Sequence, residues 1–210
     1  MTREEFIEAL DRRGYSYETK GDKIVVTNRY YVDLKSLTSL PPGVEFRNGG
    51  VVYLDSLETL PPGVEFKNTR NADKWYEFEY SGTIVLDSVK TLPPGMVFEN
   101  EGSVYLKSLT SLPPGVQFRN RGGVHLKSLT SLPPGVQFRN KGFVVLNSVK
   151  TIPPDVQFEN QPFEVFFGWF EGSGSFEGAG SFDSFKGNIK GIEPNRLLNK
   201  MISIGLFDRR

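Results

Sequence analysis

One pattern of hydrophobic and polar residues recurs along most of the chain. A leucine or isoleucine followed by two prolines begins at Leu40, Leu60, Leu92, Leu112, Leu132 and Ile152, so the copies lie 20, 32, 20, 20 and 20 residues apart. The unit reads P-P-G-V-x-F-x-N-x-G-x-V-x-L-x-S-L-x-S-L, and residues 21–40 fit it as a degenerate first copy. A fixed period of this length is the sequence signature of a solenoid.

Each copy predicts two short strands. V-x-F and V-x-L alternate with a period of two, as half-buried strands do, and the segments between them carry turn-forming residues. Twenty residues cannot bury their hydrophobic side chains alone, whereas stacked coils form a continuous core. The pattern therefore predicts an all-β fold, a parallel β-solenoid of about seven 20-residue coils that spans residues 21–160.

The recurring polar positions predict turn chemistry. An asparagine ends the first strand of each copy, where its amide can bond backbone groups of the turn and of a neighbouring coil. A serine after the second strand is expected to form a second ladder of the same kind. A glycine before the second strand is expected to hold a positive φ where a Cβ would clash; these glycines are Gly50, Gly82, Gly102, Gly122 and Gly142.

The segment SLTSLPPGVQFRN, with its LPPG corner, resembles the leucine-rich-repeat-like β-solenoid repeats of many bacterial and bacteriophage proteins. A standard leucine-rich repeat reads L-x-x-L-x-L-x-x-N. Here the asparagine follows phenylalanine by only two residues and a V-x-L strand intervenes, which argues against a standard horseshoe. The resemblance implies a protein-interaction scaffold of phage-associated proteins, with no shared chemistry.

Both ends are predicted to cap the solenoid, because an open edge would promote aggregation. Residues 1–20 carry a capping box at Thr2 and Glu5 and a helical apolar stripe, which predict an N-terminal capping helix. Residues 161–210 combine a Gly/Phe-rich segment with a second helical stripe that stops at Gly205. The Gly/Phe-rich segment either docks on the last coil or forms an aromatic contact arm.

An insert, TRNADKWYEFEY at residues 69–80, interrupts the third copy. Its alternating Y-E-F-E-Y stretch predicts a hairpin that packs on its own coil. Insertions in solenoids also project from the face that often binds partners, so Trp75 and Tyr76 are alternatively anchors for a partner.

Composition removes most enzymatic mechanisms. The chain has no cysteine and a single histidine, His125, which excludes disulfides, thiolate zinc sites, multi-histidine metal sites and histidine-centred triads. Asp55 and Asp87 occupy one ladder position and are a candidate catalytic pair, because carboxylate pairs cleave glycosides at separations of about 5 to 10 Å. Lys35 and Lys107 share that ladder, which indicates charge pairing instead. No cofactor, metal or small-molecule substrate is predicted.

The chain begins with the acidic, polar stretch MTREEF and has no apolar run of the roughly 18 residues that a membrane span requires. We therefore expect a cytoplasmic protein with no signal peptide and no membrane partner.

The outward positions beside the buried valine of each second strand are aromatic or aliphatic, a composition typical of interface cores. With the insert, the predicted partner-binding residues are Tyr31, Val51, Tyr53, Trp75, Tyr76, Val85, Tyr105, His125, Phe143 and Val145. The alternative is that the insert or the C-terminal segment covers this face within the monomer.

Charge is balanced overall, with 25 Lys plus Arg against 25 Asp plus Glu, but it is unevenly distributed. The stretch from Pro113 to Ile152 contains no acid and six cations, which we term the basic strip: Arg119, Arg121, Lys127, Arg139, Lys141 and Lys150. The strip can contact phosphate or an acidic protein surface. Alternatively it is a solvated edge that discourages strand addition.

These features favour a non-enzymatic protein-binding scaffold that acts by occupying a surface of its partner. Together with the resemblance, they suggest a phage-associated inhibitor of a host or defence protein. A nucleic-acid-binding module that uses the basic strip is the first alternative, and a carbohydrate-active β-helix enzyme is the second.

Overall fold

The computed structural model describes residues 1–69, 82–149, 153, 156–158 and 165–167, with only the backbone described at 157–158 and 165–167. One α-helix, α1, covers Arg3–Asp11. Sheet A contains, in spatial order, β1 (Tyr17–Lys20), β2 (Lys23–Val26), β4 (Val44–Phe46), β6 (Glu65–Phe66), β8 (Val97–Phe98), β10 (Gln117–Phe118), β12 (Gln137–Phe138) and β14 (Gln157–Phe158). Sheet B contains β3 (Val32–Asp33), β5 (Val52–Tyr53), β7 (Ile84–Val85), β9 (Val104–Tyr105), β11 (Val124–His125), β13 (Val144–Leu146) and β15 (Val165–Phe167).

The predicted fold class is confirmed. The chain forms a parallel β-solenoid of about six turns in which every coil contributes one strand to each sheet. Equivalent residues of neighbouring coils are in register, as in the pairs Phe118 with Phe138 and Val124 with Val144. Across the insert the register is kept with a spacing of 32 residues, because Phe66 pairs with Phe98.

The core is one continuous cluster between the two sheets, and it extends from Phe6 to Val156. The V-x-F phenylalanines stack in a column with centroids 5.2 to 5.9 Å apart and planes within 9° of parallel. The leucines of the V-x-L strands, such as Leu106 and Leu126, are fully buried on the other side. The period-two pattern therefore identifies the inward residues of both sheets correctly.

The N-terminal helix begins with the predicted capping box. The Thr2 hydroxyl accepts from the Glu5 N–H at 3.2 Å, and the Glu5 carboxylate accepts from the Thr2 N–H at 2.7 Å. Phe6 and Leu10 of α1 are buried in the solenoid core. The strand β1, which pairs antiparallel with β2, was not predicted. Three of its four residues are exposed, so it lacks an alternating pattern.

The asparagines bond two coils at once, as the turn chemistry predicts. The amide of Asn100 donates to the carbonyl of Gly102 in its own coil at 2.8 Å and to that of Gly82 in the preceding coil at 2.9 Å. Asn120 repeats this arrangement one coil later, with Gly122 and Gly102. Each asparagine thereby ties its corner to the coil before it. The serines form no comparable ladder among the described residues: Ser148 donates to the Lys127 carbonyl, whereas Ser36 accepts from Arg13.

The prediction of positive φ at the corner glycines was wrong, except at Gly82 with φ of 71°. Positive φ occurs instead at the P-P-G glycines, for example Gly115 with φ of 76°. At the corners, glycine is required by close packing: a Cβ at Gly122 would lie 2.4 Å from the carbonyl carbon of Gly102. A steric requirement and a conformational one both select glycine, which is why the pattern did not separate them.

The sheet also continues past residue 160, where the sequence placed the end of the array. Val165 of β15 pairs with Val144 of β13, at a spacing of 21 residues instead of 20. That shift, and the absence of a V-x-L motif in F-E-V-F-F, hid the last strand from the repeat pattern. The predicted insert hairpin and the C-terminal capping helix lie outside the described residues.

Candidate interaction surface on sheet B

The outward side chains of sheet B form a mostly aromatic and aliphatic row. We name this row the outer ladder; its members, in register on successive strands, are Tyr53, Val85, Tyr105, His125 and Val145. Tyr53, Val85, Tyr105 and His125 are half-buried. The ladder lies on a parallel sheet, and its side chains adjoin the equivalent side chains of the neighbouring coils.

The rings of the outer ladder stack along the solenoid axis. The centroids of Tyr105 and His125 are 4.1 Å apart with planes 11° from parallel, and Phe143 meets His125 edge-on at 5.1 Å. The ammonium nitrogen of Lys35 lies 4.1 Å from the centroid of the Tyr53 ring, and that of Lys107 lies 5.5 Å from that of Tyr105. The ring faces are therefore in contact with groups of the protein itself.

His125 is neutral at physiological pH. Burial, followed by the charges of Lys127 and Lys107, lowers the pKa of its imidazole to about 4, against an opposing effect of Asp87. Its Nε2 atom is buried without a hydrogen-bond partner in the described part of the chain. The ring thus belongs to the stacked ladder and is not a cationic site.

The remaining predicted contact residues differ in exposure. Tyr31, at the N-terminal end of the same face, is 59% exposed, and Phe143 is half-buried. Val51 and Val145, which were expected at the surface, are only 8% and 9% exposed. At that exposure each offers little area for contact with a partner. Trp75 and Tyr76 lie outside the described residues.

The outward face of sheet A has a different chemistry. In its first coils Glu65 forms ion pairs with Lys23 at 2.5 Å and Lys67 at 2.6 Å, and Glu45 pairs with Arg47. Hydrogen bonds from Lys23 and Lys67 hold the pKa of Glu65 below its usual range. Later coils present glutamines, which pair in register through β10, β12 and β14. The two faces of one solenoid therefore differ, with charges and amides on sheet A and stacked rings on sheet B.

The basic strip divides between two corners. Arg119 and Arg121 lie after the sheet A strand, where they face Glu99 at 3.5 Å and Glu101 at 3.0 Å in the preceding coil. Arg139 and Lys141 occupy the same two positions one coil later. Lys127 lies at the other corner, after the sheet B strand β11. Lys150 is outside the described residues.

The acidic pair weighed for catalysis is part of a charged row beside the outer ladder. Asp87 pairs with Lys107 at 2.5 Å, as expected from their shared ladder. Burial raises the pKa of Asp55; Lys35 opposes this shift and Asp87 adds to it. Among the described residues no group of three or more histidine and carboxylate side chains is placed to hold a metal ion. The row offers ion pairing.

Sequence reasoning missed the role of Lys35 and Lys107 at the rings. The signal was present, since Lys107 follows Tyr105 by two residues and side chains two apart on a strand share a face. We had assigned both lysines to charge pairing alone. Lys107 does both, because it pairs with Asp87 and contacts Tyr105.

Comparison with known proteins supplies no relative for this arrangement. No protein-family model matches the chain, and searches of curated proteins and of solved structures each return no match. Within the described part of the chain, no helix has the length and apolar character needed to cross a membrane.

Proposed function

We propose that this protein is a non-enzymatic protein-binding scaffold that acts by covering a surface of its partner with the outer ladder. The observation that carries the proposal is the difference between the two sheet faces. Sheet A pairs its own charges, whereas sheet B presents a row rich in Tyr, His and Val. Aromatic residues are enriched at the buried centres of interfaces, and charged residues are depleted there.

The stacking of the ladder supports a binding role because it holds the side chains in place before a partner arrives. Binding usually costs about 0.5 to 1.5 kcal/mol for each flexible side chain that is immobilised. Tyr105, which stacks on His125 and contacts Lys107, has already lost much of that freedom. The rigid row can therefore form an interface at a lower entropic cost than exposed side chains would.

We further propose, from the resemblance of the LPPG repeats, that the partner is a host or defence protein and that the scaffold is a phage-associated inhibitor. Such an inhibitor would act stoichiometrically, since one flat face can cover one complementary surface. A single equivalent of the protein should then suffice to block the activity of its target.

Paired substitutions on the two faces test the proposal. A partner would be captured from a host lysate, purified and titrated against Tyr53→Ala and Tyr105→Ala by calorimetry. Because truncation of a central interface tyrosine typically costs about 2 kcal/mol or more, Kd should rise about 30-fold for each variant. Gln117→Ala and Gln137→Ala, half-buried residues on sheet A, serve as matched controls and should leave Kd within about two-fold. Equal effects on both faces would contradict the proposal.

Nucleic-acid binding is a second candidate, favoured by the charge of the later coils. Residues 113–149 contain five cations and no acid. Proteins that bind single strands combine such charge with aromatic faces on which bases stack. The faces of Tyr105 and His125 are in contact with each other, which disfavours that mode. Retention on single-stranded DNA that falls steeply with salt and is lost on reversing Arg119 and Arg139 to Glu would favour this candidate.

A further inference from the structure

The end of the outer ladder is bordered by lysine. Lys127 and Lys107 occupy equivalent positions in neighbouring coils, one residue beyond the buried leucine of the second strand. Both lie close enough to His125 to lower the pKa of its imidazole. Lys107 is partly neutralised by Asp87 in the coil before it, at 2.5 Å. The neighbours of Lys127 in this row are Lys107 and Asn147, so the row supplies no acid next to it.

The orientation of the rings adds a second positive contribution to the electrostatic potential beside Lys127. An aromatic ring carries partial negative charge on its faces and partial positive charge on its edge. The faces of Tyr105 and His125 are stacked against each other with centroids 4.1 Å apart, and the ammonium nitrogen of Lys107 lies 5.5 Å from the centroid of Tyr105. Because the Nε2 edge of His125 is buried whereas Tyr105 is half-buried, this part of the ladder offers the edge of the Tyr105 ring to a molecule approaching sheet B.

We infer that the partner segment seated on the outer ladder is an acidic protein segment, with carboxylates that meet Lys127 and the ring edge of Tyr105. This inference rests on the proposed function and specifies the chemistry of the partner. Lysine and ring edges both favour an oxygen anion, and the half-buried Val85 favours apolar side chains between the acids. An alternating acidic and apolar sequence satisfies both requirements.

A nucleic acid satisfies only one of them. Its phosphates would be attracted to Lys127, but its bases bind aromatic residues through ring faces, and here the faces are occupied within the ladder. The affinity of a nucleic acid bound through phosphate contacts alone would also not depend on which corner carries the cation. The affinity of a protein segment seated on the ladder would depend on the corner, because Lys127 adjoins the ladder whereas Lys141 lies at the other corner.

The two lysines provide a matched pair of variants. Both are exposed and lie in the later, acid-free coils, and reversal of either changes the net charge by the same amount. The probe is a 12-residue peptide of alternating Glu and Leu, with alternating Lys and Leu and 12-nucleotide oligothymidine as comparisons. Binding would be followed by NMR through the ring signals of His125 and Tyr105 at two salt concentrations.

We expect the acidic peptide to shift those signals, and to bind about five-fold more weakly to Lys127→Glu, which corresponds to about 1 kcal/mol for one exposed charge contact. Lys141→Glu should change Kd by less than two-fold, and the basic peptide should not bind. The inference is overturned if the acidic peptide does not bind, if the two variants weaken the binding of that peptide equally, or if oligothymidine binds more tightly than the peptide. If Tyr53→Ala and Tyr105→Ala still weaken binding of the captured partner in those cases, the scaffold function stands and only the inference of an acidic partner segment is wrong.

Discussion

The hydroxyl of Tyr15 accepts a hydrogen bond from the backbone N–H of Asp33 at 2.9 Å. Asp33 belongs to β3, the terminal strand of sheet B, and neighbouring edge groups are also bonded within the chain. The amide of Asn28 donates to the Tyr31 carbonyl at 3.0 Å, and the Lys35 N–H donates to the Asp33 carboxylate at 3.1 Å. Side chains therefore close the first edge of sheet B, whereas in sheet A the antiparallel strand β1 pairs with β2 and forms the edge itself.

Replacing Tyr15 by Phe should open that edge. The Asp33 amide should exchange with solvent about five-fold faster, since a typical hydrogen bond contributes about 1 kcal/mol. An open edge pairs with other chains, so the variant should also associate at high concentration in sedimentation experiments.

Tyr17→Phe is the control for this prediction, because Tyr17 also packs against the core but its hydroxyl interacts with Asp11. If Tyr15→Phe and Tyr17→Phe behave alike in exchange and in sedimentation, the hydroxyl of Tyr15 does not protect the edge.

Phe118→Ala should be strongly destabilising, because the ring is fully buried and stacks on Phe98 and Phe138 at 5.3 and 5.2 Å. Deleting such a ring costs about 3 to 5 kcal/mol. His125→Ala should cost about 1 kcal/mol, mainly the stacking on Tyr105. Urea unfolding measures both free energies. The reverse order would mean that the inner and outer sides of the coils had been exchanged.

Substitutions at two glycines distinguish the two reasons for which the repeat requires glycine, close packing and a positive φ. Gly122→Ala places a Cβ 2.4 Å from backbone atoms of Gly102 and Ser103, so the coils must separate, at a cost of about 1 to 3 kcal/mol or more. Gly95→Ala meets no atom within 4 Å but keeps a φ of 71°, which costs about 1 to 2 kcal/mol. We expect the larger fall in unfolding free energy for Gly122→Ala. A larger loss at Gly95 would show that the corners can relax.

The buried imidazole of His125 should make the protein less stable as the pH falls from about 6.5 to 4. The unfolded chain gains a proton near pH 6.5, whereas the folded chain does so only near the lowered pKa of about 4. The protein should lose about 1 kcal/mol between pH 7 and pH 5 from this residue, after allowing for the half-exposed ring.

His125→Gln should remove that contribution while the carboxylates titrate as before. The difference between the urea curves of the two proteins at pH 7 and pH 5 isolates the histidine. An equal pH dependence in both would show that His125 is protonated as readily in the folded state as in the unfolded one.

The sequence was informative wherever a side chain repeats in register and less so elsewhere. Phe118 and Leu126 could be assigned to the core because alternation along a strand and repetition every 20 residues agree. The strand β1 has neither feature, and its place follows from pairing with β2. Val145 follows the same pattern as Tyr105, yet it is only 9% exposed whereas Tyr105 is half-buried, and a one-dimensional pattern does not contain the packing that makes this difference.

The corner asparagines give the solenoid a direction. The amides of Asn100, Asn120 and Asn140 each donate to a carbonyl of the coil before, at Gly82, Gly102 and Gly122. A newly made coil thus finds its acceptors already presented by residues that left the ribosome earlier. Since chains generally fold from the N-terminus during synthesis, the order of translation is also an order in which each coil can dock on a finished one.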